Sequence, residues 1–231
     1  MSANLQKSDR PKKVLVMGAG DGMAIREILK WQQVEKIVLI ELDPEVVALA
    51  KNQPQLVKTN QDSLRDPRVE IIYGDAFLKV AEISDRFDVI VADFPDPDRE
   101  ILAKLYSEGF YLQLLGRLAD QGVIVTQASS PFFAPKVMSC ISRTLNHVGL
   151  QTMPYTINVP SFGPWGFVMA SKKKLDPQQF ELPIATRFLT SSMLPNLFNL
   201  PGDIELKPVT INRLAHPVIV RYQSDRRWFH Y

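Results

Sequence analysis

A single cysteine, Cys140, occurs in 231 residues, which excludes an internal disulfide framework and fits a reducing compartment. It falls within an expected helix and reads as a buried structural thiol rather than a nucleophile. Long apolar runs are missing as well: no stretch of about 18 apolar residues is present to span a bilayer. Residues 1–13 are polar and lack the apolar segment of a secretory signal. Neither sign of charge is in excess. Lys and Arg total 27 against 25 Asp and Glu, and the net +2 makes no case for nucleic acid or a membrane surface as partner. Histidine is scarce, and His147, His216 and His230 all lie away from the expected strand ends. No Cys/His spacing supports a metal site. These absences predict a soluble, cytoplasmic chain with neither metal nor nucleic acid bound.

The chain carries enough apolar residues (45%, with 23% charged) for one globular domain with an appended segment. Residues 14–17 are apolar and run into Gly18-Ala19-Gly20-Asp21-Gly22, after which a helical pattern extends over about 24–31. A buried parallel strand, a tight turn and a helix start are the simplest reading. Glycines there let the backbone approach a ligand, and a helix start offers free N–H groups. Asp21 makes the turn unusual, because a carboxylate would repel a phosphate or another carboxylate. The site is suited to a cationic ligand.

The same pattern recurs along the chain. Residues 36–43 form an apolar strand ending in Glu41 and Asp43, with Pro44 opening a helix and Asp43 as its cap. Residues 52–66 are polar, a loop or short helix. A third strand over 69–73 ends at Gly74-Asp75-Ala76 before a short helix, and a fourth over 87–92 runs into Asp93-Phe94-Pro95-Asp96-Pro97-Asp98. Prolines and aspartates make that stretch a loop. A helix over 111–118, a strand over 122–126 and a helix over 134–148 follow. Two late strands, 152–159 and 166–171, are joined closely enough for an antiparallel hairpin. Residues 1–12 read as a flexible arm, and 13–175 as a Rossmann-like doubly wound α/β domain with a mostly parallel sheet. The proline-interrupted residues 176–231 read as an extension packed on that domain, its end anchored by Trp228 and Phe229.

In such sheets ligands bind beyond the carboxyl ends of the strands. Residues 18–22, Glu41, Asp75 and Asp93 all fall there, so four strand ends deliver acidic residues to one crevice. Glu41, about twenty residues after the turn, is placed to accept both ribose hydroxyls of an adenosine ligand; the competing reading is a solvent-facing strand-end glutamate. Asp75 is placed to accept from an exocyclic amine such as adenine N6, with Ala76 beside the ring, or is an ordinary turn aspartate. A dinucleotide fingerprint would need a third glycine at Met23. A methyltransferase would seldom place Asp at position 21, since S-adenosylmethionine carries a carboxylate at that end.

The motifs are specific in combination. Gly18-Ala19-Gly20-Asp21-Gly22 with Arg26-Glu27-Ile28-Leu29-Lys30, Ile40-Glu41-Leu42-Asp43, Asp66-Pro67-Arg68-Val69, Gly74-Asp75-Ala76 and Phe87-Asp88-Val89-Ile90 resemble the polyamine aminopropyltransferases (spermidine synthases) in order and spacing. Asp93-Phe94-Pro95-Asp96-Pro97 resembles the family's catalytic loop, Phe110-Tyr111 the pair after it, and Trp165-Gly166-Phe167 with Ala170-Ser171-Lys172 its late hairpin. Thr186-Arg187-Phe188-Leu189 and Asn212-Arg213-Leu214 resemble the branch whose catalytic domain follows a membrane-embedded region.

The resemblance implies aminopropyl transfer from decarboxylated S-adenosylmethionine to a diamine such as putrescine, releasing methylthioadenosine without a prosthetic group. It implies Asp93 as the base, Asp21 and Asp96 with Asp93 as amine-binding groups, and Gly18, Gly20, Glu41, Asp75 and Ala76 around the donor nucleoside. Two departures stand out. The expected fold begins at Lys13, where the family has an N-terminal β-strand region that supplies a Gln and a His or Tyr. Arg99-Glu100 also replaces the usual Gly-Pro. Part of the amine-binding wall is therefore expected from elsewhere. The resemblance further implies a homodimer or a separately encoded membrane partner. The competing expectations are a nucleoside- or polyamine-binding module that needs such a partner, and an ordinary methyltransferase.

Overall fold

The apolar runs assemble into one seven-stranded sheet of order β3-β2-β1-β4-β5-β7-β6. The computed structural model describes residues 11–225. Most of the expected arm, together with Trp228, Phe229 and His230, lies outside the described residues. The strands are β1 Lys13–Gly18, β2 Lys36–Glu41, β3 Val69–Tyr73, β4 Phe87–Asp93, β5 Leu118–Gln127, β6 Gln151–Val159 and β7 Gly163–Ser171. The pairs β1–β2, β1–β4, β2–β3 and β4–β5 are parallel, while β7 is antiparallel to both β5 and β6.

Continuous apolar runs in β1 and β2 reflect burial on both faces. Leu15, Met17, Val38 and Ile40 belong to one core cluster, and Val14, Val16, Ile37 and Leu39 to the opposite one. The second face is covered by α1 (Met23–Leu29) through Ile25 and Ile28, and by α2 (Pro44–Asn52) through Val47 and Ala50. The first face takes α4 (Ala76–Glu82), α6 (Glu108–Arg117) and α7 (Pro135–His147). Helices therefore change sides between β1 and β4, the point at which α/β sheets open a ligand crevice.

Local signals account for most boundaries. Asp43 caps α2, its side chain accepting from the Glu45 N–H at 2.8 Å, with Pro44 at the first helical position. The polar stretch over 52–66 contains a helix, α3 (Pro54–Asn60), and a 3₁₀ turn over Ser63–Arg65. α6 starts earlier than the expected 111–118, because Ser107 accepts from the Phe110 N–H and caps it. It passes into β5 at Leu118, four residues before the expected strand start. Leu118 pairs with Phe87 and is fully buried, and a register shift absorbs residues 119–122. A short helix, α5 (Glu100–Ala103), follows the acidic loop.

Residues beyond 175 wrap both faces of the sheet's antiparallel end. Phe180 and Leu194 join Val123, Val125 and Met169 in one cluster. Val209 and α8 (Val218–Ser224), through Val218 and Ile219, join the large cluster under α7. Cys140 is buried on α7, and burial pushes its thiol up to about 12, which leaves it unreactive. No helix of the described residues is long and apolar enough to cross a membrane.

Candidate active site

The turn after β1 is shaped by contacts with its neighbours. Gly18 has φ +78° and stands in register with Asp93 of β4; a Cβ on it would fall on the Asp93 carbonyl oxygen. Gly20 lies against Glu41: its N–H donates to Glu41 Oε2 at 3.0 Å, and a Cβ would meet that oxygen at 2.6 Å. Glu41 Oε1 accepts from the Asp43 N–H at 3.1 Å, so two backbone donors hold the carboxylate at the end of β2. Asp21 Oδ1 accepts from the Met23 N–H at 2.9 Å at the start of α1. The polar stretch clamps this turn from outside. Asn60 Nδ2 donates to the Asp21 carbonyl at 3.0 Å, and Ser63 Oγ to the Gly22 carbonyl at 2.8 Å.

At the end of β3, Asp75 caps α4 by accepting from the Phe77 N–H at 2.9 Å through Oδ1. Its Oδ2 is ion-paired with Lys104, whose ammonium lies 5.9 Å from the Phe77 ring centroid. Ala76 follows as the first residue of α4 and is buried. Asp75 thus has a capping role and a cationic neighbour that spacing alone did not reveal.

The acidic loop after β4 is held by a buried polar network. Phe94 is buried against Tyr106 and Phe110, with ring centroids 6.3 and 5.9 Å away. Tyr106 donates its hydroxyl to the Pro95 carbonyl at 2.9 Å. Gln127, at the end of β5, donates Nε2 to the Phe94 carbonyl at 2.9 Å and to Asp96 Oδ1 at 3.2 Å. Ser129 Oγ and Gln223 Nε2 donate to Asp96 Oδ2 at 3.2 and 3.1 Å. β7 steadies this segment, since the Gly166 N–H donates to the Ser129 carbonyl and the Ala128 N–H to the Gly166 carbonyl, both at 2.8 Å.

Electrostatics distinguishes these acids. Asp93 faces solvent, yet the protein packed around it desolvates the carboxylate and raises its pKa, and the charge of Asp21 raises it further. Asp96 is raised by burial, opposed by the hydrogen bonds from Gln127, Ser129 and Gln223. Among the described residues, no Lys, Arg or His pairs with Asp21, Asp93 or Asp96 within 4.0 Å. Elsewhere acids are matched, as Asp66 is by Arg68 and Asp85 by Lys13 and Lys36. The structure therefore brings Gly18, Gly20, Asp21, Glu41, Asp75, Ala76, Asp93 and Asp96 to the carboxyl edge of the parallel strands. His147 pairs with Glu108 on the helical layer, and His216 sits in an isolated bridge with Arg213.

Gln127 and Ser129 were not anticipated from the sequence, although Gln127 ends β5 and Ser129 lies two residues beyond it, where the strand-end rule would have found them. Lys104, Tyr106 and Gln223 offered no such signal, because each acts from a helical segment rather than from a strand end.

The fold and crevice define a doubly wound, methyltransferase-like α/β protein whose glycine turn opens onto carboxylates that have no cationic partner among the described residues. Residues 1–181 match the spermine/spermidine synthase domain, and the chain belongs to that family. It is 42% identical over 217 residues to polyamine aminopropyltransferase 2 of Ralstonia nicotianae, covering 93% of this chain and 42% of the relative. It is likewise 42% identical over 220 residues to the polyamine aminopropyltransferase of Leptospira interrogans, covering 94% and 43%. The chain thus spans less than half the length of the curated relatives it matches. Its fold is similar to that of a spermidine synthase crystallised with the transition state analogue AdoDATO, with TM-score 0.74 and 30% identity over 84% of this chain and 69% of the other.

Proposed function

We propose that the chain transfers an aminopropyl group from decarboxylated S-adenosylmethionine to a diamine, with putrescine the first acceptor to test. The observation that carries this reading is the trio Asp21, Asp93 and Asp96, gathered at the β1–β4 switch and left unpaired by any described cation. A donor without its carboxylate ends in an ammonium beside a sulfonium, and a diamine brings ammonium groups of its own. The names of the relatives and the bound analogue of the similar structure support the same chemistry.

In this scheme Glu41 accepts from the ribose hydroxyls, and Asp75 with Ala76 borders the base. Asp21 binds the donor's terminal ammonium, and Asp96 an ammonium of the diamine. An alkylamine is protonated near pH 7, its pKa being about 10.4 in water. Asp93 accepts the proton from the attacking nitrogen, and its raised pKa makes it a stronger base than an ordinary aspartate. The nitrogen lone pair forms a bond to the carbon next to sulfur. The C–S bond breaks with its electron pair on sulfur, and methylthioadenosine leaves as a neutral thioether.

The second reading is a nucleoside- and amine-binding module that is inactive alone or turns over only with a partner. Incubating the purified chain with decarboxylated S-adenosylmethionine and putrescine, with mass spectrometry of the products, separates the two. Spermidine from the chain alone supports the first. Methylthioadenosine binding without product supports the second, and tighter binding of intact S-adenosylmethionine refutes both in favour of a methyltransferase.

A further inference from the structure

Helix α8 reaches the acidic loop. Gln223 donates Nε2 to Asp96 Oδ2 at 3.1 Å across 127 residues of sequence. Its Oε1 is buried and accepts no hydrogen bond from the described residues. Folded proteins retain few buried amide oxygens of this kind, and each one asks for a donor. The amide cannot be satisfied by turning it over, because Oε1 would then face a carboxylate oxygen, acceptor against acceptor.

The helix is firmly seated. Val218 and Ile219 are buried, the Ile219 N–H donates to Asn212 Oδ1 at 3.4 Å, and Asn212 Nδ2 donates to the Ala103 carbonyl at 2.8 Å. The Tyr222 hydroxyl accepts from the Thr210 N–H at 3.1 Å, and Asp225 pairs with Lys136. Gln223 also lies beyond residues 1–181, the part matched by the family domain.

We propose that Gln223 is a substrate-binding residue of the amine site. Its Nε2 orients Asp96, and its Oε1 accepts an N–H from the same ammonium that Asp96 pairs with. A primary ammonium carries three N–H donors, so it can satisfy both acceptors at once. The tail would then form part of the amine-binding wall. This inference rests on the reading of Asp96 as an amine-binding carboxylate.

The test is calorimetric titration of putrescine into the full chain saturated with methylthioadenosine. Gln223→Met removes both polar atoms at similar volume, whereas Gln223→Glu keeps an acceptor oxygen and adds charge. Putrescine affinity is expected to fall about tenfold in Gln223→Met, with methylthioadenosine affinity unchanged. Gln223→Glu keeps the acceptor but loses the Nε2 donor to Asp96, so it is expected to bind putrescine more tightly than Gln223→Met and more weakly than the unaltered chain. A Gln223→Met variant with undiminished putrescine affinity overturns the proposal. So does Gln223→Glu binding more weakly than Gln223→Met, the order expected if Gln223 only tethers α8 to Asp96. Failure of the underlying reading is seen separately: undiminished putrescine binding by Asp96→Asn, or none by the unaltered chain, removes Asp96 from the amine site and the proposal with it.

Discussion

Gly18 and Asp93 stand opposite each other across the parallel pair β1–β4, and the glycine's φ of +78° leaves no room for a side chain beside the Asp93 carbonyl. The glycine turn after β1 is thereby in direct contact with the residue proposed as base. Gly18→Ala is strained by its backbone and overlaps that carbonyl. We expect a loss of about 2–4 kcal/mol in urea denaturation, together with weaker methylthioadenosine binding. Stability equal to that of the unaltered chain would show that the strand ends can separate freely.

Asp93→Asn tests the base. Turnover should drop by at least about 100-fold while methylthioadenosine affinity stays within about twofold. The same variant tests the electrostatics. Burial first and Asp21 second raise the Asp93 pKa above the ordinary 3.8, so the folded chain holds this proton more tightly than the unfolded chain does. Stability contributed by Asp93 therefore falls as pH rises through the interval above 3.8, and the full cost is present at neutral pH. Asp93→Asn should melt at a higher temperature than the unaltered chain near neutral pH, and the gap should close as pH approaches 3.8.

Asp21→Asn removes one cause of that raised pKa and leaves burial in place. The acid limb of kcat/KM against pH should move to lower pH without reaching the position of an ordinary aspartate. A limb that stays put would assign it to a group other than Asp93. Donor affinity should fall about tenfold at the same time, through loss of the carboxylate proposed to bind the donor's ammonium.

Glu41→Gln replaces one acceptor oxygen with an NH2 group, so the side chain can accept from the Gly20 or the Asp43 N–H but no longer from both. Methylthioadenosine affinity should weaken about tenfold or more, read by calorimetry. Undiminished affinity would leave Glu41 with only its turn-holding role.

Much of the architecture was legible because parallel strands announce themselves. In β1, β2 and β4 an apolar run buried on both faces stops at Gly or an acid, so the strand end and the crevice residue are read together. Asp43 was equally legible as a cap, its role depending only on Pro44 and Glu45 beside it. Residues 118–122 were not. Helix passes to strand at Leu118 without a turn residue, and only the pairing with Phe87 makes Leu118 a strand residue. The Asn60 and Ser63 clamp was hidden because a polar stretch has no periodicity and its partners are carbonyls of the distant turn. Gln127 was within reach of the strand-end rule, but its partnership with Asp96 was not, and Gln223 gave no signal at all. Gln127 meets Asp96 from 31 residues away and Gln223 from 127, and neither distance leaves a trace in local pattern.

Those separations also impose a timetable on a chain leaving the ribosome. The contact between Gly20 and Glu41 closes over 21 residues and becomes available once residue 41 has been made. The last donor to Asp96 does not exist until residue 223 has been made. A nascent chain can therefore complete the turn after β1 long before the loop carrying Asp96 is fully secured, and a premature stop within α8 would spare the first while undoing the second.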